Sequence, residues 1–158
     1  MRYLILLPFI LLVFSCGDGA PDEQLEFAEK IESIQERYDE VDSSWGSGGN
    51  EMAQDLLCDE LDELVETKLL TNWRGSVHDI VDSMIVGSWV DLKYDGITFR
   101  FNPKGSEWSK EEKQMIATLK GGDIIEFSGL IEAEISLTCN GKVKYPDLKV
   151  VQYNWKVL

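Results

Sequence analysis

Histidine occurs once in the 158 residues, at position 78, and that scarcity removes most hydrolytic chemistry from consideration. A side-chain nucleophile needs a base within hydrogen-bond reach. The carboxylate beside His78 is Asp79, its neighbour on an expected strand, where adjacent side chains point to opposite faces. His78 therefore reads as a surface or rim residue. No P-loop and no dinucleotide fingerprint occurs, so no cofactor is implied. Metal ligands do not converge either: Asp55, Asp59, Asp62, Glu63 and Glu66 line part of one expected helix with no histidine among them and no calcium-type loop. They read as a solvated acidic face, and the chain is not expected to be an enzyme.

Basic residues are nearly missing from Asp18 to Glu66, which holds 2 against 17 acidic ones, whereas Thr67 to Leu158 holds 12 of each. The formal net charge of −14 thus sits in the N-terminal part. Binding to nucleic acid rests on Lys and Arg contacts to phosphate. A chain so charged repels phosphate backbones and anionic lipid headgroups, and its acidic faces serve solubility.

Long hydrophobic runs are absent as well. The longest, Tyr3 to Phe14, has twelve positions, short of the ~20 that a membrane-spanning helix needs. With Arg2 before it, the run has the layout of a secretory signal over residues 1–15. The residues Val13-Phe14-Ser15-Cys16 resemble the lipobox of bacterial lipoproteins. That resemblance implies an acylated Cys16 as the mature N-terminus, residues 16–22 as a lipidated tether, and a place on a membrane of the bacterial cell envelope. Gly17 stands where an aspartate would signal inner-membrane retention, which argues for the outer membrane.

Cysteine is scarce beyond that point: Cys58 and Cys139. In an oxidising envelope an even pair can join as a disulfide, and free cysteine is also a frequent core residue. Both readings stand on the sequence alone.

Apolar residues supply the organisation. Phe27, Ile31, Ile34, Tyr38 and Val41 recur at steps of three and four, with Leu25 and Ala28 widening the stripe, which predicts a helix over 23–42. The Gly- and Ser-rich stretch 43–49 breaks it. Asn50 then reads as the N-cap of a second helix, with Met52, Ala53, Leu56, Leu57, Leu61, Leu64 and Val65 as its apolar stripe. Residues 23–66 are thus expected to form an acidic helical hairpin.

After Lys68 the period changes to two. Trp73, Gly75 and Val77 share one face of a first strand. Residues 85–93 alternate as a second, Tyr94-Asp95-Gly96 turns, and Ile97, Phe99 and Phe101 share a face of the third. Ser109 and Glu112 form a capping box for a helix with Met115, Ile116 and Leu119 as its stripe and Gly121 as its C′ residue. Ile125, Phe127 and Ile131, then Val151, Tyr153, Trp155 and Val157, mark two further strands. Three strands, a helix and two strands are the order of an OB-fold, a five-stranded Greek-key barrel, so residues 67–158 are expected to fold as such a barrel and the whole as α+β. Gly75 and Gly129 suit its sharp bends.

The pattern Trp73-x-Gly75-x-Val77-x-Asp79, followed by Leu119-x-Gly121-Gly122-Asp123-x-Ile125-x-Phe127-Ser128-Gly129, resembles bacterial envelope OB-fold domains of the tRNA-anticodon-binding-like group. The resemblance covers residues 69–158 and concerns shape. OB-folds use their second and third strands for ligands, which here offer Trp89, Lys93, Tyr94, Thr98 and Arg100. Two functions follow as expectations. One is a tethered, non-enzymatic module that holds a protein partner. The other is binding of an oligosaccharide or single-stranded nucleic acid, with bases or sugars stacked on Trp89 beside Arg100.

Overall fold

The computed structural model describes residues 19–44, 50–83, 87–134 and 138–158; the signal segment, Cys16, Ile85 and Val86 lie outside the described residues. In chain order the elements are α1 (Asp22–Ser44), α2 (Glu51–Val65), β1 (Leu69–Ser83), β2 (Gly87–Tyr94), β3 (Ile97–Phe101), α3 (Lys110–Ile116), β4 (Ile124–Glu134), α4 (Cys139–Lys144) and β5 (Asp147–Val157). The strands close into one mixed barrel in the order β1-β2-β3-β5-β4. Only the β3–β5 pair is parallel. The fold is α+β and OB-like.

The barrel is filled by the alternate residues that the period of two marks. Trp73, Val90, Leu92, Phe99, Phe101, Phe127 and Ile125 are all inside. In β5 the alternation breaks at Gln152, at φ +49°, so that Leu148, Val150 and Tyr153 point inward while Val151 is half-buried and Val157 is 44 % exposed. This corrects the expected face of that strand. An aromatic column runs through the barrel: Phe27 lies 5.0 Å from Trp73, Trp73 5.9 Å from Phe99, Phe99 5.2 Å from Phe127, and Phe127 5.1 Å from Phe101. Trp155 and Trp108 continue it, at 5.1 and 5.8 Å. Each such contact adds ~0.5–1.5 kcal/mol beyond area burial, and together they leave the barrel a packed core. Two glycines let the strands approach closely. A Cβ on Gly75 would stand 2.9 Å from Leu92 Cβ, and one on Gly129 only 2.7 Å from Val150 Cγ1 and 3.0 Å from the Val151 carbonyl oxygen.

The column begins in α1 because the helical hairpin lies on the barrel. Phe27, Ile31, Ile34 and Tyr38 join Leu57, Leu61 and Val65 of α2 and the barrel interior in one core cluster. Gln24 fixes the entry of α1. Only 1 % exposed, its side-chain amide accepts from the Arg74 backbone N–H at 2.7 Å and donates to the Arg74 carbonyl. One amide thus serves both backbone groups of a β1 residue that lies before the pairing with β2 begins at Ser76. Gln24→Ala leaves both without that partner in a buried site, a loss of about 1–3 kcal/mol, which urea unfolding of the variant would register as a lower midpoint at unchanged slope.

Several helix expectations need correction. Leu25 is 40 % exposed, and Met52 and Leu56 are 76 % and 64 % exposed, so they lie off the buried stripes. Their spacing is helical, but the α1–α2 contact is narrower than the apolar set. The Ser109 capping box is present, yet α3 ends at Ile116 with Ala117 as C-cap. Gly121 is therefore not its C′ residue, and the left-handed turn falls on Gly122, at φ +89°. Ile116 and Leu119 are half-buried against the core, and Met115 is half-buried. Helix α4 has no counterpart in the sequence reading.

Candidate functional site

The two-residue turn at Asp95-Gly96 sets the register of β2 on β3: Tyr94 faces Ile97, Lys93 faces Thr98, Leu92 faces Phe99 and Asp91 faces Arg100. Side chains alternate across a strand. Trp89, Asp91, Lys93, Thr98 and Arg100 therefore share the outer face, with Val90, Leu92, Phe99 and Phe101 inside. Tyr94 falls on the inward register and packs, half-buried, against the core, so it does not belong to the face on which the sequence reading put it.

Arg100 is engaged by its own fold. Its Nε and one terminal nitrogen donate to the two carboxylate oxygens of Asp91, both at 2.8 Å, and the guanidinium reaches Asp147 Oδ2 at 3.2 Å. Its carbon sits 4.9 Å from the centroid of the Trp89 ring, a cation–π contact on the diagonal of the same strand pair. The hydrogen bond to Asp91 and the fields of Asp147, Asp91 and Asp79 outweigh desolvation and hold Arg100 more firmly charged. Asp91 is 5 % exposed. Burial pushes the Asp147 carboxyl above its ordinary range, against the pull of Arg100, and its Oδ1 is buried without a hydrogen bond among the described residues. One cation facing Asp91, Asp147 and Asp79 makes this part of the face acidic and leaves the guanidinium no open donor fork for a phosphate.

Asp91 and Asp147 are the residues that sequence reasoning missed. The signal for Asp91 was present: a two-residue turn at 95–96 makes the numbers of facing residues sum to a constant, which pairs 91 with 100. Asp147 arrives through the parallel β3–β5 pairing, which no local pattern announces.

Lys93 stands apart from this cluster. It is exposed and lines a groove of ≈ 430 Å³ with Arg74, Gly75, Ser76, Tyr94, Asp95 and Ile124. Thr98 is half-buried and its backbone N–H donates to the Pro146 carbonyl at 2.9 Å.

His78 is exposed and sits in the β-bulge between Val77 and Asp79, while an Asp79 oxygen accepts from the Ile80 N–H at 2.9 Å. Among the described residues no group of three or more His, Cys, Asp or Glu side chains is placed to hold a metal ion. Cys58 and Cys139 stand as a disulfide with a Cα–Cα distance of 5.7 Å, joining α2 to α4. Neither a protein-family model nor a curated protein matches the chain.

Proposed function

We propose that the chain is a lipid-anchored protein of the bacterial cell envelope, on the outer membrane, acting as a non-enzymatic module that holds a protein partner. In this reading its barrel is an OB-fold with α3, between β3 and β4, as the closing helix. The observation that carries it is the internal use of Arg100, which takes the main cation of the outer β2–β3 face into pairs with Asp91 and Asp147. The helical layer offers a surface instead. Met52 and Leu56, 76 % and 64 % exposed, lie one turn apart on α2, and Asp59 and Glu63 follow at the same spacing. An apolar pair framed by carboxylates suits a partner with an apolar contact and a basic rim.

The test is affinity capture from a mildly crosslinked envelope extract with the Cys16→Ser protein, beside its Met52→Glu/Leu56→Glu variant. A protein retained by the parent and lost by the variant supports the reading; equal retention places the contact elsewhere, and empty capture removes the partner. A second reading, an oligosaccharide or single-stranded nucleic acid held by the barrel, draws on Lys93 and the groove beside it. It expects saturable change in tryptophan fluorescence that weakens in Lys93→Ala and Trp89→Ala.

A further inference from the structure

The geometry points to a membrane-facing surface of the domain: the side of the barrel around Arg74, Ile124 and Leu158 lies on the phospholipid headgroups. This inference rests on the acylation of Cys16 proposed above.

The tether sets the distance. Three peptide units separate Cys16 from Gly19, and at ~3.3–3.6 Å per residue they span at most about 11 Å. Gly19 is seated on the barrel: a Cβ there would meet Arg74 Nη1 at 2.0 Å, so the chain runs against that guanidinium. Two residues on, the Pro21 carbonyl accepts from the Gln24 and Leu25 backbone N–H groups at 2.9 and 3.2 Å, and Gln24 is bonded to the Arg74 backbone. The tether therefore leaves from a fixed point on β1. An acyl chain buried from Cys16 brings that point to within a headgroup layer of the bilayer.

The chemistry of the surface suits that place. Ser76 of β1 faces both Lys93 and Ile124, and the Leu158 N–H donates to the Ile124 carbonyl at 3.0 Å. Ile124 and Leu158 are 41 % and 56 % exposed. Cations surround them: Lys93, Arg74, which shares Glu126 with Lys156 at 3.7 and 2.8 Å, and Lys156 itself. Against these three stand Glu126, Asp95 and the terminal carboxylate carried by Leu158, so the patch is near neutral. Apolar side chains among lysines and arginines fit the boundary between acyl chains and phosphates.

Apart from Asp22 and Glu23 in the first turn of α1, the latter paired with Lys68 at 2.7 Å, the acidic length of α1 is carried away from it. α1 starts beside Arg74, and Asp42 lies eighteen residues beyond Gln24, about 27 Å further along a helix rising 1.5 Å per residue. The Gln54 side chain bonds Asp42 at 3.2 Å, which puts the start of α2, and Met52 with it, at that far end. Repulsion of the helical carboxylates by anionic headgroups reinforces the orientation that the tether imposes.

The experiment uses the acylated full-length protein in vesicles of phosphatidylethanolamine and phosphatidylglycerol, with p-benzoylphenylalanine at Ile124, at Leu158 or at Met52. Flotation reports anchoring, and the mass of lipid adducts after irradiation reports contact. Flotation with several-fold more lipid adduct from positions 124 and 158 than from 52 supports the inference. Flotation with equal or reversed yields overturns the orientation and leaves the anchor standing. Failure to float overturns the anchor and, with it, the inference. Leu158, at the chain end, keeps the test open should a bulky ring at 124 disturb β4.

Discussion

Arg100→Ala is expected to destabilise the protein by about 3–5 kcal/mol at pH 7, because removing one partner leaves a buried carboxylate uncompensated. The lost guanidinium takes two hydrogen bonds from Asp91, a side chain 8 % exposed, and one ion pair from Asp147. It also uncovers the face of Trp89. Arg100→Lys recovers only part of the loss, since an ammonium cannot present the two-pronged fork. The deficit depends on pH, and its sign follows from Asp147. Burial raises the folded-state pKa of that carboxyl above the ordinary value of 3.8. The native state therefore holds this proton more readily than the unfolded state does, and the group's contribution falls as pH rises from below 3.8 through the raised value. With Arg100 gone the opposing pull vanishes and the pKa rises further, so the deficit of the variant is largest near neutrality and shrinks as pH falls towards 4. Urea unfolding at pH 7 and pH 4.5 measures both. A variant as stable as the parent at pH 7 would mean that Arg100 is not a structural residue, and would return it to the ligand face.

That contrast marks what could be read from the chain. The faces of β1, β3 and β4 were legible, because a period of two with Trp73, Val77, Phe99 and Phe127 on one side admits one packing, and the glycines at 75 and 129 fall where strands come closest. The face of β5 was misread, because the left-handed Gln152 shifts the alternation from Val151 to Val150. From the pattern of the strands and their order a five-stranded, partly open barrel is expected; the structure closes it. The role of Arg100 was half legible. Its partner Asp91 is fixed by the turn at 95–96, whereas Asp147 joins through a parallel pairing across 47 residues of chain. The burial of Gln24 was not legible, since a glutamine near a helix start looks like a solvent residue until the backbone N–H and C=O of Arg74 in β1 are seen to face its amide. Apolar stripes say which side of a helix is buried but not how far the contact reaches. Met52 and Leu56 extend the stripe of α2 into solvent for that reason. Helix α4, six residues with Gly141 in its middle, is too short to show a period and is held by what it touches.

What holds α4 leads to the other large effect. Cys58→Ala/Cys139→Ala, or reduction of the parent, is expected to cost about 2–4 kcal/mol, because the bond closes a long loop whose entropy the unfolded chain regains when it is cut. The two cysteines are 81 residues apart and bridge α2 to α4, so the cut also removes a covalent cross-link between the helical layer and the connection from β4 to β5. Other ties remain. Lys142 pairs with Asp62 at 2.8 Å and the Gln35 amide donates to the Val143 carbonyl at 2.8 Å, and Val143 is buried in the core. The barrel itself, closed by strand pairing and filled by its aromatic column, does not depend on the bridge. The loss should therefore appear in two places. The urea midpoint falls for the whole domain, and hydrogen exchange accelerates over 138–145 more than over β2 and β3. Uniform acceleration would make the bridge a clamp on the entire fold. Unchanged exchange and midpoint would mean that packing of Val143 and the Lys142–Asp62 pair suffice, and that the thiols could stay reduced without harm to the fold.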